Sequence, residues 1–318
     1  MEQPDLRIAI IIPVFNEEVT IKRTLLDFME YLPDAFYYVI DNNSTDNTVT
    51  IARNMYKEGN LKGELLFERK QGKANAIRKA FLVVDADIYL MIDGDNTYKA
   101  KDVFNVINPV INDEADMTVG DRHKTGAYRV ETKRLFHNFG NTLVRRLINL
   151  LFGSNLDDIL SGYRCFSRNF VINFPVLSSG FELETEMTLH ALDKRFRIVE
   201  VPIDYKERPS GSFSKINTIR DGIKIVGTVY QIFRYYKPLV FFTLLSALFF
   251  AGALAAGIPV LMEYVSTRYI EHVPLSILAT GLMILSVLSI TIGFILDTIV
   301  RIHKFDYELN ILRERRHH

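Results

Sequence analysis

The chain has 318 residues, 48% hydrophobic and 24% charged, and its 38 basic side chains balance 38 acidic ones. That length suits one large domain or a domain with an appendage. Zero net charge leaves no electrostatic demand for a nucleic-acid partner, and the lone cysteine, Cys165, excludes an intrachain disulfide.

Met1–Asp5 has no basic stretch leading into an apolar run, so no signal peptide is expected, and His317–His318 read as a tag remnant. Arg7 to Ile12 is a short β-branched strand closed by Pro13. Glu17 to Tyr31 then has helical spacing, with Asn16 placed to cap it. Tyr37 to Ile40 is a second strand, and Ser44 or Thr45 can cap a helix running to Tyr56. A third strand, Glu64 to Phe67, precedes a helix from Lys73 to Val83; Ile88 to Ile92 is a fourth strand and Met117 to Val119 a fifth. Strands alternating with helices predict right-handed βαβ units: an α/β fold with a Rossmann-like, mainly parallel sheet and helices on both faces.

Composition changes near Pro238. Leu239 to Met262 and Val273 to Leu296 contain no charged residue, and each exceeds the roughly 20 residues that cross about 30 Å of hydrocarbon. Two transmembrane helices are expected; the alternative, core helices apolar on every face, would have to occur twice in succession. Arg220, Lys224, Arg234 and Lys237 precede the first run, and Arg301, Lys304, Arg313, Arg315 and Arg316 follow the second. The positive-inside rule then puts both flanks and the large N-terminal domain in the cytoplasm. Between domain and membrane, Ile216, Ile219, Ile223, Val226, Val229 and Ile232 recur at helical spacing among basic residues. That suits an amphipathic helix at the membrane interface, or one packed on the domain. The expected division is a catalytic domain over 1–214, a juxtamembrane helix over 215–237, two spans within 238–300 and a tail over 301–318. Gly252 and Ala256 offer a small-x-x-x-small contact through which the spans could form a homo-oligomer.

The chemistry is carried by turns after strands. Asp93-Gly94-Asp95 ends the fourth strand, and two carboxylates spaced one apart converge at the carboxyl edge of a sheet, where open α/β folds bind ligands. Hard oxygen ligands on a short loop suit Mg²⁺ or Mn²⁺ holding a diphosphate. Alone, such a turn could equally be solvated. It is preceded, however, by Pro13-Val14-Phe15-Asn16-Glu17-Glu18 after strand one and Asp41-Asn42-Asn43-Ser44-Thr45-Asp46 after strand two. After strand three comes Gln71-Gly72-Lys73, where backbone N–H groups and Lys73 can approach an anion. Each singly could be a capped helix start; their order along the chain is what makes them a set.

These motifs resemble those of the family 2 glycosyltransferases with the GT-A fold, which open on P-x-x-N-E and carry D-x-D. Gly120-Asp121-Arg122, Ser161-Gly162-Tyr163-Arg164, Gly180-Phe181-Glu182-Leu183-Glu184-Thr185-Glu186 and Arg208-Pro209-Ser210-Gly211-Ser212-Phe213-Ser214-Lys215 extend the resemblance to the polyprenyl-phosphate branch, over roughly Leu6 to Tyr236. The resemblance implies a nucleotide-sugar donor held by Pro13, Asn16, Glu17, Asp41, Asn43, Lys73, Asp93, Gly94 and Asp95, with Arg208, Ser214 and Lys215 closing over the diphosphate. Asp93 and Asp95 would hold the metal, Asp95 the closer. Arg122, Lys133, Arg134 and Arg164 would surround the phosphate of a polyprenyl acceptor; Lys133 and Arg134 could equally be a solvated helix face. Asp95, Arg164, Glu186 and Asp158 are the catalytic candidates. Glu184 and Glu186, two apart on a helix, point in different directions, and Glu186 matches the family position better. Where some relatives have Gln near the metal this chain has Thr97, and where others have an acidic residue it has Gly162, with Asp158 as the substitute.

A lipid phosphate, with a second pKa near about 6, is already largely a dianion and needs no strong general base. Direct displacement would invert the anomeric carbon, giving a β-linked product on the cytoplasmic face from a donor expected to be UDP-linked. Gln231-Ile232-Phe233-Arg234-Tyr235 resembles the Q-x-x-R-W of processive synthases, but the chain has no Trp. The sequence is also compatible with transfer to a soluble acceptor, or with a catalytically inactive membrane scaffold.

Overall fold

The computed structural model describes residues 6–59, 61–123, 135–177, 183–206, 227, 232–233 and 236–314. Its chain contacts divide it into two units, Met1–Ile225 and Val226–His318.

The first unit is built on a seven-stranded sheet in the order β3-β2-β1-β4-β6-β5-β7. The strands are β1 (Ile8–Val14), β2 (Phe36–Asp41), β3 (Lys62–Phe67), β4 (Ile88–Met91), β5 (Met117–Asp121), β6 (Arg164–Ser167) and β7 (Ile198–Pro202). All neighbouring pairs are parallel except β6, which runs antiparallel to both β4 and β5. Alternate residues of β1 explain the layering. Ile10, Ile12 and Val14 pack on α1 (Ile21–Tyr31) through Ile21, Leu25 and Phe28, whereas Ala9 and Ile11 face α3 (Lys73–Val83) through Ala74, Ile77 and Ala80. A sheet covered on both faces requires such unbroken apolar strands. α2 (Thr48–Lys57) and α4 (Val103–Ile111) complete the α1 side; α5 (Leu135–Phe152), α6 (Arg168–Asn173) and α7 (Leu183–Asp193) follow in the chain.

Three boundaries differ from expectation. β1 continues through Pro13 to Val14, because its pairing with β4 ends at Ile11 and Pro13 has only β2 as neighbour. Asn16 and Ser44/Thr45 are not helix caps. α1 starts at Ile21 and α2 at Thr48, where Asp46 Oδ1 accepts from the Thr48 N–H at 3.0 Å; Asn16 and Ser44 join two turns instead. β6 and β7 are strands that hydrophobic pattern did not announce.

The second unit is a hairpin of two helices long and apolar enough to cross a membrane, α8 (Pro238–Thr267) and α9 (Val273–Glu314). Only 11% of either apolar window is buried, the reverse of a soluble core helix. Small residues form the seam: an added Cβ on Gly293 would lie 2.9 Å from Phe242, and Gly252 and Gly257 face Leu282 and Ala279. Ser246 Oγ donates to Ser286 O at 2.9 Å and Ser286 Oγ returns a bond to Ser246 O at 3.0 Å. Gly252 thus lies in the contact between the two helices of one chain, and Ala256 is buried. α9 runs unbroken through the expected tail to Glu314. The juxtamembrane helix expected over 215–237 falls almost wholly outside the described residues.

Candidate active site

The carboxyl ends of β1, β2, β3 and β4 bring the sequence motifs to one edge. Asn16 takes a positive φ of 56°, which Asn tolerates better than most residues. Its Oδ1 accepts from the Thr45 N–H at 2.8 Å and its own N–H donates to Ser44 Oγ at 3.0 Å. The Glu17 N–H donates to Thr48 Oγ1 at 2.8 Å, and Glu18 Oε2 accepts from the Asn47 N–H at 2.9 Å. The first two turns thus form one stitched surface. Asp41 lies buried beneath it and accepts from the Ser44 N–H at 3.3 Å. Asn42, which sequence reasoning passed over, adds the third turn: Nδ2 donates to Glu68 O at 3.0 Å and Lys70 O at 2.7 Å, and Oδ1 accepts from the Gly72 N–H. Asn43 Nδ2 donates to Arg69 O.

The Asp93-Gly94-Asp95 turn is pinned from α1. Gly94 O accepts from Thr20 Oγ1 at 2.8 Å and Thr24 Oγ1 at 3.2 Å. A Cβ on Gly94 would lie 2.7 Å from Val14 Cγ1, so only glycine allows this approach. Asp95 is buried, and its Oδ1 accepts from both the N–H (3.2 Å) and the hydroxyl (2.6 Å) of Thr97. Thr97 thus orients Asp95.

Lys73 stands between two carboxylates, with Nζ 2.5 Å from Asp93 Oδ1 and 2.6 Å from Glu184 Oε1. Burial opposes its charge, but Asp93 and Glu184 outweigh burial and raise its pKa. The three groups sum to one negative charge in a mostly enclosed space. Gly162 walls this cluster: an added Cβ would sit 2.7 Å from Asp93 Oδ2 and 2.9 Å from Lys73 Nζ. A side chain at this position would have to displace the carboxylate of Asp93 and the ammonium of Lys73 from each other. Tyr98, another residue sequence reasoning missed, fixes Gly162 by accepting its N–H at 2.8 Å. Burial, and then the nearby Asp93, raises the Tyr98 pKa, so its phenol stays protonated.

Three catalytic candidates occupy other roles. Asp158 is 2% exposed and clasped by Arg122, with Nε to Oδ2 at 2.7 Å and Nη2 to Oδ1 at 2.9 Å. Burial alone would raise its pKa; Arg122 overrides that and lowers it, which removes Asp158 as a base. The same fork commits Arg122, which also lies 5.5 Å over the Tyr205 ring. Arg164 is fully buried in β6, where it donates to Ser161 O at 2.8 Å, Ile159 O at 2.7 Å and Thr188 Oγ1 at 3.0 Å, and burial lowers its pKa to about 10. It braces the segment entering β6 and does not present its fork to a ligand. Glu186 accepts from the Leu177 N–H at 3.0 Å, away from the cluster. Glu184, two positions earlier, is the carboxylate that α7 delivers to the site. Lys133, Arg134, Arg208, Ser214 and Lys215 lie outside the described residues.

Among the described residues no three His, Cys, Asp or Glu side chains gather as a ready-made metal cage. A divalent cation would draw on Asp93 and Asp95 and complete its shell from a diphosphate and water, as Mg²⁺ commonly does. The residues fit that use. They offer hard carboxylate oxygens on one pinned turn, and the missing Cβ of Gly162 leaves Asp93 Oδ2 room beside it.

Residues 9–173 match the model of glycosyl transferase family 2. The chain belongs to that family. Among its relatives, glycosyltransferase AglJ of Haloferax volcanii is 29% identical over 305 residues, 96% of this chain and 97% of that protein. An undecaprenyl-phosphate mannosyltransferase of Micrococcus luteus is 28% identical over 214 residues, 65% and 86% of the two chains. The fold of this family 2 glycosyltransferase is also that of glucosyl-3-phosphoglycerate synthase from Mycobacterium tuberculosis, solved with Mn²⁺, uridine diphosphate and phosphoglyceric acid. That likeness has a TM-score of 0.57 and 18% identity, covering 72% of this chain and 78% of that one. The stitched turns and the Asp93-Gly94-Asp95 turn all lie within the family region, and Glu184 joins them from beyond it.

Proposed function

We propose that this family 2 glycosyltransferase moves a hexose or N-acetylhexosamine from a UDP-linked donor to a polyprenyl phosphate, undecaprenyl or dolichyl, with inversion to a β-linked product. The observation that carries the reading is the negatively charged Lys73–Asp93–Glu184 cluster at the edge of the sheet, in a chain that also holds two helices able to span a bilayer. The relative from Micrococcus, which acts on undecaprenyl phosphate, supports the acceptor class.

In this reading the turns around Asn16, Glu17, Asp41 and Asn43 receive the nucleoside, and Asp93 and Asp95 would hold Mg²⁺ or Mn²⁺. The bound metal supplies charge neutralisation for the departing nucleoside diphosphate. Lys73 adds a second cation at the same point, held in place by Glu184. Thr97 fixes the carboxylate of Asp95, and the protonated Tyr98 keeps the wall of Gly162 closed. With the acceptor phosphate arriving as a dianion, no residue has to remove a proton. That agrees with Asp158 being tied to Arg122. The basic residues flanking the hairpin support a cytoplasmic catalytic unit under the positive-inside rule, and Lys133, Arg134, Arg208 and Lys215 remain the proposed phosphate contacts.

Membranes carrying the protein, incubated with each labelled nucleotide sugar, undecaprenyl phosphate and Mn²⁺, test the proposal directly. Label passing into organic solvent, and its loss in Asp95→Ala, is the expected result. Label that stays in water with every donor would exclude the lipid acceptor.

A further inference from the structure

Beyond the apolar run, α9 carries a second surface. At 1.5 Å per residue, Val273–Leu296 is about 36 Å long, enough for the hydrocarbon layer, and Asp297–Glu314 extends roughly 27 Å further. Phe305 lies some 13 Å beyond Leu296, past a head-group layer of roughly 5–8 Å. The face of α9 turned to α8 is defined by Ser286 and Gly293. Ile302 is nine residues from Gly293, half a turn round the helix, and so points the opposite way. Ile295, Ile302 and Phe305 are 56%, 54% and 64% exposed on that outer face. In the portion beyond the bilayer this leaves an apolar stripe facing water.

The stripe has the spacing of a coiled-coil seam. Ile295, Ile302 and Leu309 fall at a positions and Phe305 at d, which puts Arg301 at g and Asp306 at e. In a parallel pair, a g residue meets the e residue five positions on in the partner. Arg301 would thus meet Asp306 of a second copy, opposite in charge, on both sides of the seam. Arg301 is 77% exposed and holds the neighbouring Asp297 across one turn, at 2.8 Å. Parallel alignment is imposed because two copies inserted in one membrane share an orientation. Two and a half heptads are marginal for strands free in water; tethering both in one membrane raises their effective concentration.

We propose that the α9 extension pairs with the same helix of a second copy in a parallel two-stranded coiled coil seamed by Ile302, Phe305 and Leu309. This locates self-association outside the bilayer, and it is independent of the reaction proposed above.

Cysteine cross-linking of the full chain in membranes tests it. Ile302→Cys and Phe305→Cys should yield disulfide-linked dimers under mild oxidation at several-fold the level of His303→Cys, one residue off the seam; the native Cys165 is buried. Adding Asp306→Arg should lower the yield at 302 and 305, and the double change Arg301→Asp/Asp306→Arg should restore it. Equal yields at 302, 303 and 305, no dimer at 302 and 305, or failure of the double change to recover the yield would overturn the proposal.

Discussion

Two ionic groups in the first unit have opposite balances. Arg122 and Asp158 meet fork to carboxylate, one charge against one, with both partners almost sealed. Lys73 serves two carboxylates, so these three groups carry one negative charge in excess, answered in part by the buried Arg164 guanidinium within electrostatic reach of Glu184. A balanced pair needs nothing further; enclosed excess charge is costly unless a counter-charge arrives. The contrast separates a brace from a candidate binding site without reference to any motif, and substitutions can test each side of it.

The largest effect is expected at the Asp93-Gly94-Asp95 turn. Asp95→Ala should lower turnover by about 10³-fold or more, roughly 4 kcal/mol of transition-state stabilisation, with little change in thermal unfolding; a chelator applied to the unaltered protein should mimic it. The brace should behave inversely. Asp158→Ala strands a buried guanidinium and should cost about 3–5 kcal/mol of stability, read by thermal or denaturant unfolding of the detergent-solubilised protein.

A third test concerns a buried group in neither cluster. Burial, aided by Lys194, pushes the His190 imidazole down to about 4, among the rings of Phe170, Phe174 and Phe196. The unfolded chain takes up that proton near 6.5, so the contribution is complete above pH 6.5 and is lost as pH falls from 6.5 toward 4. It amounts to about 3 kcal/mol. Unfolding followed across that window should show the loss, and His190→Phe should flatten it. The smallest effect returns to the charged cluster. Glu184→Gln removes the excess charge and leaves Lys73 to Asp93 alone, so Mn²⁺-dependent UDP binding by calorimetry should weaken about tenfold, near 1.4 kcal/mol. Glu186→Gln should leave it unchanged.

The contrast between the two clusters also marks what could be read from sequence. β1 through β5 and the turns carrying Asp93-Gly94-Asp95 and Lys73 were legible because each is local, a β-branched run followed by a polar turn. β6 was not, since four residues beginning with Arg164 have no apolar periodicity, and β7 carries Glu200 in its middle. Sequence reasoning preferred Glu186 where the structure brings Glu184 to Lys73, because the rotation of α7 is set by packing of Leu183 and Met187 in the core. The Arg122–Asp158 pair spans 36 residues and has no local signature. Asn42 did carry a signal: a buried-type position beside Asp41 occupied by an amide able to bind several backbone groups at once.

That amide bears on how the turns would receive a ligand. Asn42 and Asn16 hold three separate turns in register through the protein's own side chains. Ordering a free loop residue costs roughly 1–2 kcal/mol, and here that cost has been met during folding. Turns braced in this way let the affinity of whatever they bind come from contacts, with little further ordering to offset.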